Sequence, residues 1–182
     1  MRLRFLGTGS SSAHGMGNAS AVLEHNDNTL CIDYGFLTDP TFQSTYNKLP
    51  DAVFITHLHM DHSGGLESLF YACMIKKNKP IKLYVPSAII PRLHAIFAEN
   101  LNPWANDSVN FWDAFHLIPV GETFFWNGLR LVTYPVRHHT PNSAFALHLP
   151  GKFFFSGDTR PIPEILNNVA NQNEIIFHDA SR

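Results

Sequence analysis

Short stretches in which apolar and polar residues alternate, or in which apolar residues run together, recur along the chain and predict β-strands. Turn-forming residues at 26–28, 127–128 and 150–151 (NDN, NG and PG) stand between neighbouring stretches and predict hairpins. The pattern therefore predicts a structure rich in hairpins, with strands at 2–6, 20–25, 29–33, 52–55, 82–85, 115–119, 123–126, 129–136, 143–149, 152–155 and 174–177.

Helical signals are confined to three segments. Apolar residues at 66, 69, 70, 73 and 74 predict a helix over 66–76. Ser87 is a suitable N-cap for a second helix that ends near Glu99. Pro161 is suited to the first turn of a short third helix over 161–169. Residues 100–114 predict a loop that covers the core, with a lid over a functional site as the alternative. This order of strands, hairpins and helices favours an α/β fold with sheet packed on sheet and helices outside, as one domain over residues 1–182.

The charge pattern restricts the partners that we expect. The net charge is −2, and the 13 Lys and Arg residues are scattered, with one cluster at Lys76, Lys77 and Lys79. A protein that grips a long nucleic acid shows a basic stripe, and this chain has none. We therefore expect a small anionic substrate and no long nucleic acid.

The cysteines and the hydropathy pattern bear on the compartment. Cys31 and Cys73 stand in apolar segments, which favours small core residues over a disulfide or a ligand role. Residues 1–7 form too short an apolar stretch for a signal peptide, and no apolar run approaches membrane length. We therefore expect a soluble cytoplasmic protein without a membrane partner.

The chain is organised around residues 56–65, where three histidines and one carboxylate fall within six positions, on a loop that follows a buried strand. His57 and His59 are two apart on extended chain, so they project the same way and can share one ion. Asp61 and His62 follow on the turn and can face a second ion about 3.5–4 Å away. Imidazole and carboxylate are both zinc ligands; a polar loop that happens to be rich in histidine is the alternative.

This cluster matches the H-x-H-x-D-H signature of the metallo-β-lactamase fold superfamily at all four ligand positions, and the resemblance covers nearly the whole chain. Residues 5–10 (FLGTGS) are similar to the opening of its phosphodiesterase branch, which includes the tRNA 3′-processing endonucleases (RNase Z). The resemblance implies an α/β fold of four layers, αββα, with the metal loop at one edge of the two sheets.

Two downstream motifs resemble those that complete the metal set in this superfamily. Residues 135–139 (PVRHH) place a histidine after a Pro-Val-x pattern, which favours His138, with His139 as the alternative. Asp158 follows an apolar strand and a glycine and resembles the aspartate that bridges both ions, which suits two cations sharing one anionic ligand. The implied set is His57, His59 and His138 for one ion, Asp61 and His62 for the other, and Asp158 between them.

Residues 174–181 (EIIFHDAS) resemble the His-Glu-Ala-Thr element of RNase Z-like enzymes, in which the histidine is a general acid held by a neighbouring carboxylate. The resemblance implies that His178 is catalytic, with Asp179 standing where the family has Glu. A histidine that merely ends a strand is the alternative. Asp61 is the second residue to which we assign a catalytic role.

The leading hypothesis is a metal-dependent hydrolase that holds two divalent ions, with zinc as the first candidate and manganese as the second. Its substrate would be a small nucleotide-like phosphodiester, including a cyclic one. A metal-bridging hydroxide would attack phosphorus in line, and His178 would protonate the departing alkoxide. The alternative is a hydrolase of a carboxylic ester, lactone or thioester, which does not need the His178 element. A redox di-iron protein is disfavoured because such relatives carry a carboxylate at the position of His59, and a metal-stabilised binding module is the last candidate.

Two departures from the resembling enzymes shape these expectations. The tRNA-processing enzymes carry a long substrate arm between the third and fourth motifs, whereas 19 residues (139–157) separate His138 from Asp158 here. The family's final ligand histidine has no counterpart, because only residues 180–182 follow Asp179. We therefore expect a C-terminally incomplete fold in which three protein ligands hold the second ion, and an uncovered edge that favours pairing into a homo-oligomer.

Three features near the strand ends keep two interpretations each. The loop at residues 7–12 (GTGSSS) predicts either backbone N–H donors for a phosphate or a plain connection. Asp33 is expected to be either a turn cap or a hydrogen-bond partner for a ligand imidazole. His14 is expected to contact solvent or substrate rather than a metal ion.

Overall fold

The structure, a computed structural model, describes residues 1–76, 79–99, 109–169 and 174–180. Within these ranges a first sheet has six strands, which lie side by side in sequence order. Its first three strands pair antiparallel, and the third to the sixth pair parallel. The strands are β1 (Arg2–Gly7), β2 (Ser20–His25), β3 (Asn28–Ile32), β4 (Ala52–Phe54), β5 (Ile81–Pro86) and β6 (Phe115–Val120).

The second sheet has five strands in the described residues: β7 (Thr123–Trp126), β8 (Leu129–Pro135), β9 (Phe145–Leu149), β10 (Phe153–Phe155) and β11 (Ile175–Phe177). They lie in the order β11-β10-β9-β8-β7 and pair antiparallel, except that β10 and β11 are parallel. Asn127 and Gly128 have φ of 48° and 83°, as a two-residue hairpin turn requires. The hairpin predicted at this Asn-Gly pair is therefore confirmed.

Helices connect the strands and cover the outer faces of the sheets. They are α1 (Thr38–Tyr46), α2 (Met60–Ser63), α3 (Gly65–Ile75), α4 (Ile90–Leu93), α5 (Phe111–Ala114) and α6 (Pro163–Val169), with 3-10 turns at His14–Met16 and Ser87–Ile89 and a π-helical turn at His94–Ala98. The helices predicted at 66–76 and 161–169 correspond to α3 and α6.

Two helical segments differ from the sequence prediction. No helix is predicted at α1, because this segment contains Pro40 and buries only Thr38 and Phe42, so its apolar spacing is weak. The single helix predicted from 87 to 99 is a succession of 3-10, α and π turns. Pro91 removes a main-chain N–H donor from this segment, which prevents one regular ladder.

Several predicted features lie outside the described residues. They include residues 100–108 of the predicted loop or lid, Lys77 of the basic cluster and the side chain of His14. The end of the predicted loop forms α5, which begins after Asn110, a residue whose side chain accepts a hydrogen bond from the Trp112 N–H.

The core is divided among three interfaces, which makes the fold a four-layer αββα sandwich. Alternate residues of β4 face opposite sides: Ala52 and Phe54 point between the sheets, and Val53 points toward the helices. The Phe54 ring stacks on Phe124 of the second sheet, with ring centroids 5.6 Å apart. Phe154 points outward from β10 into a third cluster beneath α6. The predicted layer order is confirmed.

The cysteines and helices of the described residues can be compared directly with the sequence predictions. Cys31 and Cys73 form no disulfide and are buried in the core between the first sheet and its helices, as predicted. No helix in the described ranges combines the length and the apolar character that crossing a bilayer requires.

The strand ends at one edge of the sandwich bring together the residues that the sequence singled out. Asp33 follows β3, His57 lies just after β4, and Asp158 and His178 follow β10 and β11. The Phe145 N–H of the second sheet donates to the Thr56 carbonyl of the first at 3.0 Å. This bond fixes the two sheets against each other beside the histidine cluster.

Candidate metal centre

The local backbone of the histidine cluster explains why its side chains divide into two sets. The chain is extended at His59, with φ −71° and ψ 149°, and turns into α2 immediately afterwards. The His59 carbonyl accepts from the N–H of both His62 and Ser63 at 2.9 Å, and Ser63 Oγ donates to it at 3.0 Å. His57 and His59 therefore precede the turn, whereas Asp61 and His62 lie on it.

A first group of possible ligands consists of His57, His59, His138 and Asp158, whose donor atoms all lie within 4.8 Å of one another. His59 Nδ1 is 3.1 Å from His57 Nε2 and 3.1 Å from His138 Nε2. Asp158 Oδ2 is 3.8 Å from His57 Nε2 and 3.9 Å from His138 Nε2. Three imidazole nitrogens and one carboxylate oxygen thus converge on one point.

A second group consists of Asp61, His62 and Asp158. His62 Nε2 is 3.6 Å from Asp61 Oδ2 and 3.1 Å from Asp158 Oδ1. Asp158 therefore turns Oδ2 toward the first group and Oδ1 toward the second. The structure thus brings together all six residues that the sequence predicts as ligands, with the aspartate of the fourth motif between the two groups.

The spacing and chemistry of these groups fit divalent cations. Zn–N bonds of about 2.0–2.1 Å in a tetrahedral shell put neighbouring ligand atoms about 3.3 Å apart. In the first group, His59 Nδ1 lies 3.1 Å from the Nε2 atoms of His57 and His138. Asp158 Oδ2 lies 3.8–3.9 Å from the same two nitrogens. Imidazole with carboxylate is also the ligand chemistry of zinc and related ions.

The electrostatics of the centre favour the binding of positive charge. Burial, together with the neighbouring His62, lowers the pKa of His57 to about 2, so this imidazole is neutral near pH 7 and keeps a lone pair. Burial alone would lower the pKa of His62, but the charges of Asp33 and Asp158 outweigh it and raise that pKa to about 10. The surroundings of His62 therefore attract a cation.

Asp158 itself remains ionised. Burial would raise the pKa of its carboxyl, but the hydrogen bond and the charge of His62 outweigh burial and hold that pKa at about 2. A permanently negative carboxylate between the two donor groups matches the role of an anionic ligand shared by two cations.

Behind the imidazoles, Asp33 and Thr56 are fully buried and form a hydrogen-bonded layer. Asp33 has a left-handed φ of 62° and lies 2.7 Å from His62 Nδ1. It also accepts from the N–H and the hydroxyl of Thr56, at 2.7 and 2.8 Å. Of the two interpretations left open for Asp33, the geometry favours the imidazole partner. Thr56 received no role from the sequence, and its place directly before His57 is the signal that was available.

The two neighbouring histidines of the third motif lie in different positions. His138 belongs to the first donor group, whereas His139 belongs to neither group. The His139 ring is exposed and its centroid lies 4.6 Å from those of His59 and His138. Its φ of 54° is a left-handed conformation that a non-glycine residue rarely adopts. His139 therefore lies on the rim of the centre.

His178 lines the same cavity as His62 and Asp158 of the second donor group, and this cavity has a volume of about 650 Å³. His178 Nδ1 lies 2.6 Å from the main-chain oxygen of Asp179. A carbonyl oxygen only accepts, so Nδ1 donates and Nε2 remains available for a second proton. The resemblance implied that a carboxylate would hold this histidine, but a main-chain oxygen accepts its proton here. The Asp179 carboxylate accepts from the Thr159 N–H at 3.1 Å.

The glycine-rich loop after β1 uses its amide groups internally. The N–H groups of Thr8 and Gly9 donate to the carbonyl oxygens of Met16 and Gly17 at 3.1 and 3.0 Å. A Cβ on Gly9 would approach the Gly17 oxygen within 2.5 Å, so a glycine is required for this close approach. These two amides are therefore not free for a phosphate, which favours a plain connection at this point of the loop.

Comparison with known proteins identifies the relatives of the chain. The family model of the anti-Pycsar protein Apyc1 matches residues 1–182. The chain is 32% identical to the anti-Pycsar protein Apyc1 of Paenibacillus harenae over 184 residues, which cover 98% of this chain and 76% of that protein. It is 28% identical to ribonuclease Z of Pseudomonas putida over 158 residues, which cover 80% of this chain and 46% of that protein.

Solved structures carry the same fold at low sequence identity. The short form of human tRNase Z superimposes with a TM-score of 0.69 and 19% identity, covering 100% of this chain and 79% of that one. The metallo-β-lactamase fold expected from the histidine cluster is confirmed, as is the likeness to RNase Z-like proteins. The match to the family model over the whole chain shows that it belongs to the anti-Pycsar protein Apyc1 family.

Proposed function

We propose that this chain, a hydrolase of the metallo-β-lactamase fold, uses two divalent metal ions to hydrolyse a small cyclic nucleotide. Zinc is the first candidate for these ions. One observation carries the proposal. Asp158 turns its two oxygens toward two separate donor groups and lines the same cavity as His178. Two cation sites that share a carboxylate, next to a residue able to donate a proton, are what hydrolysis of a phosphodiester needs.

The roles of the residues follow from their atoms. Two bound divalent ions would supply a nucleophile derived from water at neutral pH and would neutralise the charge that develops on the phosphoryl oxygens. The six residues of the two donor groups would hold these ions, and Asp61 would take part in the reaction through the ion that it helps to hold. His178 would carry a second proton at Nε2 and deliver it to the departing alkoxide oxygen of the sugar.

The cavity also supports a requirement for cations. Its described lining includes the carboxylates of Asp158 and Asp179 and no Lys or Arg. A phosphodiester anion would be repelled by these carboxylates, so the attraction has to come from bound cations. The walls contributed by Phe5, Phe155 and Phe177 are apolar and suit the face of a nucleobase.

The size of the substrate follows from the cavity and from what the chain lacks. A volume of about 650 Å³ is that of a pocket for a small molecule. Only 19 residues separate His138 from Asp158, which leaves no room for a long arm that grips RNA. A cyclic nucleotide carries its diester within one small molecule, so it needs neither an arm nor a basic stripe. The relatives include an anti-Pycsar protein and a ribonuclease, and the second name refers to cleavage of a phosphodiester.

The test is a hydrolysis panel with the purified chain loaded with Zn²⁺ or Mn²⁺. The substrates are 3′,5′-cyclic nucleotides of each base, a nitrophenyl phosphodiester, a nitrophenyl ester and a lactone. We expect linear nucleoside monophosphates as products, with loss of activity in Asp158→Asn and after chelation. His116→Ala is the matched control, because His116 is exposed on β6 and belongs to neither donor group.

Faster cleavage of the ester or lactone than of any phosphodiester would overturn the proposal in favour of the carboxylic ester alternative. Metal binding without turnover of any substrate in the panel would instead favour a binding module. The same result for both metals would leave the reaction class unchanged, so the assay tests the chemistry independently of which ion is native.

A further inference from the structure

The buried hydroxyl of Thr56 links the two donor groups through a chain of hydrogen bonds. Thr56 Oγ lies 2.8 Å from Asp33 Oδ2 and 3.0 Å from His57 Nδ1. Asp33 Oδ2 lies 2.7 Å from His62 Nδ1. His57 belongs to the first donor group and His62 to the second. The Asp33 carboxylate therefore contacts His62 of the second group directly and is linked to His57 of the first group through Thr56.

The protons of this chain can be placed by counting donors. A hydroxyl has one proton and an ionised carboxylate has none to give, so the Thr56 hydroxyl donates to Asp33. Its oxygen can then only accept from His57, which places a proton on His57 Nδ1. The Asp33 carboxylate likewise requires a proton on His62 Nδ1. In both rings the protein thereby holds the proton on Nδ1, which leaves Nε2 as the nitrogen that can ligate a cation.

The Nε2 atoms of both rings point into their donor groups. His57 Nε2 lies 3.1 Å from His59 Nδ1 in the first group, and His62 Nε2 lies 3.1 Å from Asp158 Oδ1 in the second. A ring whose lone pair lay on Nδ1 instead would keep its N–H bond at this point when it becomes neutral, and would exclude a cation. Partners that fix the tautomer and orientation of a ligand imidazole typically change metal affinity about 10–100-fold.

The position of Thr56 is fixed from several sides. Its carbonyl accepts from the Phe145 N–H at 3.0 Å, and its own N–H donates to Asp33 Oδ1 at 2.7 Å. Gly157 packs against its side chain, with a Cβ at that position 3.2 Å from Thr56 Cβ and Oγ1. Because Gly157 directly precedes Asp158, Thr56 contacts the loops that carry ligands from both sheets.

We propose that Thr56 and Asp33 are positioning residues that set the tautomers of His57 and His62 together, so that one buried carboxylate prepares both metal sites. This inference rests on the metal centre proposed above and adds residues outside its ligand set. It predicts an unequal effect: loss of the Thr56 hydroxyl disturbs the first site alone, whereas loss of the Asp33 charge disturbs both.

The first experiment is a calorimetric titration with Zn²⁺, together with Co²⁺ absorption spectra, on wild type, Thr56→Val, Thr56→Ser and Asp33→Asn. We expect Thr56→Val to weaken the step assigned to the first group about 10–100-fold and to spare the other, and Asp33→Asn to weaken both. Thr56→Ser keeps the hydroxyl and should behave as wild type. Thr133→Val is the matched control, because Thr133 is also buried and its hydroxyl donates to the Gly121 carbonyl, away from the centre.

Unchanged Zn²⁺ binding in a folded Thr56→Val would overturn the inference. Thr56→Ser as impaired as Thr56→Val would do the same, since the effect would then follow side-chain shape rather than the hydroxyl. Circular dichroism and thermal unfolding of each variant separate these results from loss of fold, which the Thr133→Val control calibrates.

A second measurement does not depend on any variant. Long-range ¹⁵N–¹H spectra of the histidine rings in the metal-free wild type report which nitrogen carries the proton. We expect protonated Nδ1 in His57 and His62, and an Nε2–H tautomer in His57 would contradict the inference. If the wild type binds no metal, the proposed function fails, whereas the tautomer measurement still decides the hydrogen-bond order.

Discussion

Gly35 lies directly against Asp61: a Cβ built on Gly35 would overlap the main-chain oxygen of Asp61. The segment on either side ties the same loops together, because the Tyr34 N–H donates to the His62 carbonyl at 2.7 Å and the Gly65 N–H donates to the Tyr34 carbonyl at 2.9 Å. The close approach of residue 35 therefore determines where the second donor group, which contains Asp61 and His62, lies relative to the first.

Replacing Gly35 by alanine should displace this segment. The obstacle is main chain rather than a flexible side chain, so we expect a loss of stability of about 1–3 kcal/mol and loss of the second metal ion ahead of the first. Urea denaturation and elemental analysis of bound metal measure the two effects. Gly121→Ala is the control, because a Cβ there meets nothing within 4 Å. Equal metal content in both variants would show that Gly35 does not position the second group.

The neighbouring histidines 138 and 139 should differ in what they do. His138 Nε2 lies 3.1 Å from His59 Nδ1 within the first donor group, whereas His139 is exposed at the rim. We expect His138→Ala to lower the metal content of the purified chain and His139→Ala to leave it intact. The reverse result, measured by elemental analysis after dialysis against metal-free buffer, would mean that the wrong histidine of the pair has been assigned.

The two sites should fill in sequence when metal is added back to the stripped protein. The first group offers three imidazoles and a carboxylate, whereas the second offers one imidazole and two carboxylates, one of them shared. More protein ligands give a tighter site, and three with an open position still allow catalysis. We expect two separate steps in a Zn²⁺ titration, with the first group filling first. Two steps of equal affinity in a monomer would contradict this ligand assignment.

The ligand cluster could be predicted from the sequence because its chemistry is local. Four ligand residues lie between 57 and 62, and the extended chain followed by a turn divides them in the way that the spacing predicts. His138 and Asp158 are far away in sequence, and their inclusion depended on motifs that resemble a known superfamily. The strands and hairpins could be predicted for a similar reason, because alternation of apolar and polar residues and turn-forming residues are both signals that span only a few positions.

The layer behind the imidazoles could not be predicted in the same way. Asp33 and Thr56 are 23 positions apart and meet because β3 and β4 pair parallel with Ile32 beside Phe54. A sequence alone does not specify that register, so two roles remained open for Asp33 and none was assigned to Thr56. Helix α1 was missed for a different reason, because packing of Phe42 stabilises a segment with weak helical spacing.

The substrate range should exclude long RNA. The described surface offers no arm between the third and fourth motifs, because residues 139–157 contain only the connection around β9 and β10. We expect the chain to cleave a cyclic nucleotide and to process precursor tRNA poorly in the same buffer. Gel analysis of tRNA 3′ ends, with a bona fide tRNA 3′-processing endonuclease as positive control, measures the difference. Efficient 3′ processing by this chain would contradict a small-molecule substrate.

The role proposed for His178 predicts a dependence on the leaving group. A sugar alkoxide is a poor leaving group and needs a proton, whereas nitrophenolate departs without one. We therefore expect His178→Ala to slow cleavage of a cyclic nucleotide about 10²–10⁴-fold and to leave cleavage of a nitrophenyl phosphodiester close to that of wild type. His116→Ala, at an exposed strand position outside both donor groups, should change neither rate. An equal loss on both substrates would show that His178 supports the centre without acting as the acid, because loss of a proton donor affects only the substrate that needs the proton.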